Sequence, residues 1–379
     1  MRPGWSKVTL EEVATIVGRG VTPKYAENGD FQVINQKCVR GGRVSLEQAR
    51  RHDSEQRTVR EDKIVQLNDI LVNSTGVGTL GRTAPVRSLN GPTTVDSHLT
   101  IVRPSDAVDP RWLAYAISFA EPEIVAMAEG STGQTELSRH RLARLELSLP
   151  TLSEQKVIAA TLGALDDKAE SNKRIAKLSM ALARSLYGSA IADEFRTVAI
   201  GKVAEFHNRR RVPLARRERE VRPGDIPYYG AAGVLDYVNE KIFCRVLVLV
   251  GEDGSVMRED GGPVLQYIWG PSWINNHAHA MTGKIISNEM LYLALDRASV
   301  RSVVTGAVQA KLSMQSLQSI QIKLPLNGQS ELIERKIEVL FRLYRKCCSS
   351  VNKITKFRNF LLFQLSSGRF TFSFEGLSL

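Results

Sequence analysis

The chain says much of what it says twice. Gln134-Thr-Glu-Leu137-Ser138 and Gln309-Ala-Lys-Leu312-Ser313 lie 175 residues apart and stay in step. Leu142, Leu145, Leu147, Leu149 and Pro150 are answered by Leu317, Ile320, Ile322, Leu324 and Pro325. Beyond the prolines, Ile158, Leu162 and Leu165 match Ile333, Ile337 and Leu340. Ile175, Leu178, Leu182 and Leu186 then match Ile354, Phe357, Leu361 and Leu365 at an offset of 179. Nearer the start, Val8 to Ala14 reads against Val198 to Ala204 at an offset of 190. A period this long exceeds the roughly 20–50 residues of a solenoid repeat, so the repeated object is a domain.

Each half decodes alike. The reading predicts a short helical segment over Leu10–Val17, then strands near Phe31–Ile34, Ile70–Val72 and Leu99–Val102 between Gly, Asn and Pro punctuation. Asp109-Pro110 reads as N-cap and first residue of a helix running to about Phe119. Leu145–Leu149 alternates like a half-buried strand. A long helix follows, with Ser153 as N-cap and an apolar seam at 158, 162, 165, 169, 175, 178, 182 and 186. About 35 residues span about 50 Å, and so long a helix needs a partner along its length. The second long helix, from about Ser330 to Leu365, supplies one if the two run antiparallel. The expected fold is therefore mixed α/β, with two similar globular units related by an approximate internal twofold. The boundaries fall at 1–150, a central helix over 151–192, a second unit over 193–325, and a distal helix with tail over 326–379.

Charge narrows the partner. Lys plus Arg is 51 against 40 Asp plus Glu, a net +11, which favours a polyanion such as nucleic acid. No apolar run approaches the ~20 residues of a membrane span. The N-terminus lacks a signal-peptide core. Four scattered cysteines do not make a disulfide scaffold. These features point to a soluble chain in the reducing cytoplasm.

Two like units on a helical spacer suit DNA, whose local twofold lets such a protein read two half-sites in opposite orientation. The residues that fit this role lie in basic and polar loops. In the first half they are Arg19, Lys24, Lys37, Asn73, Arg82 and Gln134. In the second half they are Arg209, Arg210, Arg211, Arg216, Arg217, Tyr228, Tyr229, Asn275, Asn276, His277 and Gln309. Arginine grips phosphate and reads guanine with the same planar fork.

Several motifs together resemble the specificity subunit of type I restriction-modification enzymes. They are the Leu10–Val17 opening, Asn68-Asp69-Ile70-Leu71-Val72 with Gly76, Gly130-Ser-Thr-Gly-Gln134 through Leu149-Pro150, and Ser153-Glu154-Gln155-Lys156-Val-Ile158. In the second half they are Ile226-Pro227-Tyr228-Tyr229-Gly230, Gly251-Glu252-Asp253-Gly254 and Trp273 to His279. The resemblance covers essentially the whole chain. It implies two target-recognition domains, each reading half of a bipartite DNA site. It also implies helices that act as a ruler and dock two modification subunits, through Gln155, Ile158, Leu162, Ile333 and Ile337. S-adenosylmethionine and ATP are then expected on the modification and restriction partners, and no cofactor on this chain. One departure stands: where the first helix carries Glu154-Gln155, the second has Gln329-Ser330-Glu331.

Other chemistries find little purchase. Gly76-Val-Gly78-Thr-Leu-Gly81 spells a dinucleotide fingerprint, but Arg82-Thr-Ala-Pro85 cannot open the helix that must follow. His277-Ala-His279 allows a metal pair on one strand face but brings no Cys or further His. No phosphate-binding loop or methyltransferase motif is present, so a non-catalytic chain is expected. The alternative is a coiled-coil scaffold without DNA specificity of its own, which leaves the Arg209–Arg222 cluster unexplained.

Overall fold

The computed structural model describes residues 4–130, 135–306 and 309–366. It divides into two compact units. The first takes the chain up to Ala169 and again from Asn352; the second takes Glu170–Val351.

The first unit is built from β1 (Ser6–Thr9), β2 (Ala14–Arg19), β3 (Phe31–Ile34), β4 (Arg50–His52), β5 (Ile70–Asn73), β6 (Thr83–Pro85), β7 (Thr93–Val95), β8 (Leu99–Pro104), α1 (Pro110–Phe119), α2 (Arg139–Ala143) and β9 (Glu146–Leu149). Strands β2-β8-β5-β6 form one antiparallel sheet, β4-β3-β7 a second, and β1-β9 a two-stranded ladder. Within the second sheet, β3 and β7 run parallel. The main sheet is covered on both faces. Ile70, Val72 and Val102 join a core with Trp5, Leu10, Trp112 and Leu113. Leu71, Leu99 and Ile101 face Ile34, Cys38 and Val95. Burial on both sides explains why β5 reads as an unbroken apolar run rather than an alternation.

α3 (Leu152–Ala190) then crosses into the second unit. That unit holds β10 (Phe195–Ala199), β11 (Ala204–Phe206), β12 (Ile226–Tyr229), β13 (Val234–Val238), β14 (Leu247–Gly251), β15 (Leu265–Ile268), β16 (Pro271–Ile274), β17 (Ala278–Gly283), α4 (Asn288–Asp296), α5 (Met314–Ser319) and β18 (Gln321–Pro325). Its main sheet is β11-β17-β14-β15, and β10 pairs β18. Its second sheet runs β13-β12-β16, with β12 and β16 parallel and a short edge piece, Phe243–Cys244, beyond. Every pairing among these nine strands of the first unit thus recurs nine strands later, direction included. α6 (Asn327–Ser366) closes the chain and crosses back.

The long helices pair antiparallel within each unit. In the first, Asp166 of α3 meets Arg358 of α6 at 3.5 Å. In the second, the Asn172 amide donates to Ser350 Oγ at 2.9 Å. The seam differs from the expected one past Ala169. Leu178 and Leu182 are 58% and 51% exposed, and Phe357 is 53% exposed, while Ala176, Ser179, Ala183 and Tyr187 are buried instead. Ala183 and Tyr187 pack into the core of the second unit, and the Tyr187 hydroxyl donates to Lys323 O on β18, so this stretch turns that face toward its globular part and leaves the larger leucines outside.

Two local readings are also corrected. Leu10–Val17 is not helical throughout: Leu10–Glu12 is one 3-10 turn, and Ala14 onward is β2, since Ile16, Val17 and Gly18 ladder against β8. The cap of α3 is Thr151, not Ser153. The Thr151 backbone N–H and hydroxyl both reach Glu154 at 3.1 and 3.0 Å, which is a capping box. The missing second Glu-Gln is replaced in space. In the first unit the Asp109 N–H donates to Gln155 Oε1 at 2.8 Å. In the second the equivalent Ser287 N–H donates to Glu334. Each joint fixes the start of α1 or α4 to the long helix.

Candidate nucleic-acid interface

The antiparallel register brings one set of loops together at one edge of each main sheet. In the first unit, Leu99 of β8 lies opposite Asn73, the last residue of β5, and Thr100 lies opposite Arg19, the last of β2. The loops after β2 and β5, the turn before β8 and the approach to α2 therefore share an edge. Arg19 ties them. Its guanidinium donates to Ser97 O at 3.1 Å, Leu137 O at 2.6 Å and Glu136 at 2.7 Å. Gly76, Gly78 and Gly81 all adopt positive φ in the turn between β5 and β6. A strand follows that turn, so the GxGxxG pattern is a tight loop and not a nucleotide cradle.

The second unit repeats the edge. Gly251 ends β14 opposite Ala278. Arg211 does for this edge what Arg19 does for the other, donating to Glu252 at 2.5 Å and to Asn276 O and Ala278 O at 3.2 and 2.7 Å. Beneath it lies fully buried His279, whose Nε2 meets Leu312 O at 2.7 Å. His207 Nε2 meets the Thr282 hydroxyl at 2.8 Å.

The sequence-selected residues fall into three groups. Lys24, Asn276, His277 and Gln309 are exposed on loops, Lys37 and Arg209 in single 3-10 turns, and Arg217 in the short helix Arg216–Glu220. Arg210 and Arg216 are exposed yet engaged: Arg210 donates to Ile242 O at 2.9 Å and lies over Phe243, and Arg216 pairs with Glu220 at 2.9 Å. Arg82 is half-buried beside Glu121, and Tyr229 is half-buried with its carbonyl taken by the Asn275 N–H at 3.0 Å.

The third group lies inside. Arg19 and Arg211 brace loops. Asn73 is buried and donates to Gln36 O at 3.2 Å. Tyr228 is buried, its hydroxyl accepting the Leu214 N–H at 2.9 Å. Asn275 is buried and accepts the His277 N–H at 2.8 Å. These five shape the surface rather than extend from it. Gln134 lies outside the described residues.

The helix residues expected to touch partners turn inward too. Gln155, Ile158, Leu162 and Ile337 are buried, and Ile333 packs half-buried on the second unit's core. Gln155 bridges Asp109 N–H and Pro150 O. These residues hold each helix to its own globular part. What the sequence reading missed at the edge is His98, exposed in the turn before β8. Asp96-Ser97-His98 set against Asn275-Asn276-His277, at the offset of 179, was the available signal.

Among the described residues, no group of three or more His, Cys, Asp or Glu could hold a metal ion. His279 is committed to Leu312 O and Asn208, so His277 and His279 do not converge. No helix of the described residues is long and apolar enough to cross a membrane.

Burial holds the pKa of His207 and of His279 below the ordinary imidazole value of 6.5. Groups with a depressed folded pKa bind fewer protons folded than unfolded, so stability is lost as pH falls below about 6.5. The melting temperature is expected to drop between pH 7 and pH 5, and His279→Gln to lose less over that interval than wild type. Equal losses in a thermal melt series would exclude the buried imidazole as the cause.

A sheet whose connecting loops gather along one edge, made twice in one chain, defines a duplicated domain. The chain belongs to the type I restriction modification DNA specificity domain family, whose model matches residues 3–179 and again 192–355. A protein of Haemophilus influenzae, strain Rd, named as a type I restriction enzyme specificity subunit (S.HindORF215P), is 35% identical over 137 residues. That match covers 36% of this chain and 34% of the relative, so the chain spans about a third of it. The crystal structure of the type I restriction-modification S subunit from M. genitalium superposes with a TM-score of 0.61 at 20% identity, over 97% of this chain and 99% of that one. It shares the fold. The HsdS subunit from Thermoanaerobacter tengcongensis aligns over 98% of both chains at 16% identity, with a TM-score of only 0.38.

Proposed function

We propose that the chain is the non-catalytic specificity subunit of a type I restriction-modification complex. Each globular unit reads one half of a bipartite double-stranded DNA site. α3 and α6 space the readers and dock two modification subunits, which restriction subunits join. The modification subunits carry S-adenosylmethionine and methylate the DNA, while the restriction subunits use ATP; the chain itself uses no cofactor and works in the cytoplasm.

The observation that carries this reading is the duplication itself. Both units share one strand order, one set of pairing directions and one loop edge, yet differ in the residues on that edge. Common framework with divergent loops is what two readers of different sequences require. Docking is supported by apolar side chains left outside on the helices, Leu178, Leu182, Leu332, Val339 and Leu343, since exposed apolar stripes mark contact surfaces.

The test is a map of methylated sites in cells carrying this chain with its modification subunits. A split motif with a fixed unread gap is expected. A continuous motif, or methylation unaffected by deleting the chain, would refute it.

A further inference from the structure

The two loop edges have diverged in most of their side chains, but one constellation is kept in both. His98 sits two residues after buried Asp96, whose carboxylate accepts the His98 N–H at 3.0 Å. His277 sits two residues after buried Asn275, whose amide oxygen accepts its N–H at 2.8 Å. The His98 carbonyl accepts the Ser74 N–H at 2.9 Å, and the His277 carbonyl accepts the Glu252 N–H at 2.8 Å. The next residue reaches the ring in each case. Thr75 Oγ1 lies 2.8 Å from His98 Nδ1, and Asp253 Oδ2 lies 3.6 Å from His277 Nδ1. A positive-φ glycine follows, Gly76 or Gly254.

So each turn and each carbonyl is tied down, His98 Nδ1 is hydrogen-bonded and His277 Nδ1 faces a carboxylate, while the ring is exposed at the edge. Among the described residues, nothing takes either Nε2. A rigidly held imidazole with one free nitrogen is a built recognition group, since its orientation is fixed before a ligand arrives.

We infer that His98 and His277 are the equivalent base-reading side chains of the two units, a reading that rests on the proposed DNA function. The second shells make them unlike readers. The Asp253 carboxylate, 3.6 Å from His277 Nδ1, can only accept and so favours a hydrogen on that nitrogen; with Nδ1 alone carrying one, Nε2 presents a lone pair. A lone pair is repelled by phosphate and matches an exocyclic amino group in the major groove, adenine N6 or cytosine N4. The Thr75 hydroxyl can donate or accept, so His98 Nε2 is free to serve as donor or acceptor. One scaffold therefore yields two specificities through residue 75 or 253.

The test uses the full chain with its modification subunits, comparing methylation motifs of wild type, His98→Ala, His277→Ala and Asp253→Ala. Each histidine variant is expected to relax one position in one half-site, with about a tenfold loss of discrimination there. The other half-site and the gap stay as they were. Asp253→Ala is expected to relax the same position as His277→Ala. Melting temperatures should not move, because both rings are exposed.

A split wild-type motif that neither histidine variant alters overturns this inference alone. So does an even loss of affinity for all sequences, which would make the rings backbone contacts. A lowered melting temperature with an unchanged motif assigns them a bracing task and overturns it equally. A wild-type complex without a split motif overturns the DNA reading and takes this inference with it.

Discussion

Adding seven residues to α3 after Ala169 and seven to α6 after Val351 is expected to lengthen the unread DNA gap while both half-sites stay unchanged. These are the points where each helix passes from one unit to the other. Seven residues are two turns, about 10 Å, the length of about three base pairs at ~34 Å per turn of DNA. The number matters because the buried seam repeats in heptads, at Ala169, Ala176 and Ala183. Seven residues shift that seam by only about 20°, whereas four would rotate it by about 40°. Insertion into one helix alone puts the seam out of register and is expected to abolish methylation. Mapping methylated sites reads all three outcomes. A changed half-site would refute the division between reading loops and spacing helices, and an unchanged gap would refute the spacing role.

Replacing Arg103 with Ala is expected to cost about 3–5 kcal/mol, the typical loss when one partner of a buried ion pair is removed. Arg103 on β8 grips Asp69 with two nitrogens, both at 2.8 Å. Asp69 is 1% exposed and also accepts the Gln66 N–H at 2.8 Å. The same guanidinium donates to Ile64 O at 2.7 Å. Without it a carboxylate remains buried at the entry to β5, the strand that positions Thr75 and hence His98. Chemical denaturation should show the first unit unfolding at much lower denaturant. Lys7→Ala serves as control, since the Lys7–Glu146 pair at 2.9 Å is two-thirds exposed on both sides and surface pairs contribute little. Matching transitions for Arg103→Ala and wild type would show that the pair does not hold the strand.

The repeat was legible because it is carried by core positions. Leu145, Leu147 and Leu149 recur as Ile320, Ile322 and Leu324; in each set the first residue immediately precedes, and the other two lie on, the strand pairing with the first strand of its unit. Volume and period survive where polar identity drifts. The α1 start was legible from Asp109-Pro110, and the Asp109 side chain accepts the Arg111 and Trp112 N–H groups at 3.0 and 2.9 Å.

The misreadings have a common origin, in that side-chain chemistry does not reveal which neighbour claims it. Arg211 looked like its neighbours Arg209 and Arg210, but Glu252 lies 41 positions away and claims it. Leu178 and Leu182 outranked Ala176 and Ala183 on hydrophobicity, yet the alanines are the buried ones, with Ala183 in the core of the second unit. The heptad spacing of the three alanines was the overlooked clue. Val13 to Val17 could pass for a helix turn, because only pairing with β8 settles the period. At the interface, basic residues were over-weighted and a single histidine in Asp96-Ser97-His98 was passed over.

Because the first unit is completed by the stretch beyond Asn352, order of synthesis and order of folding run opposite ways. Leu362 and Leu365 sit in one cluster with Trp5, Leu10 and Trp112. The second unit has all its parts once Val351 leaves the ribosome, while the segment made before it must wait, its apolar surface open, for the residues beyond Asn352. A message cut short near codon 351 would yield a finished second unit and an unfinished first, a product suited to proteolysis.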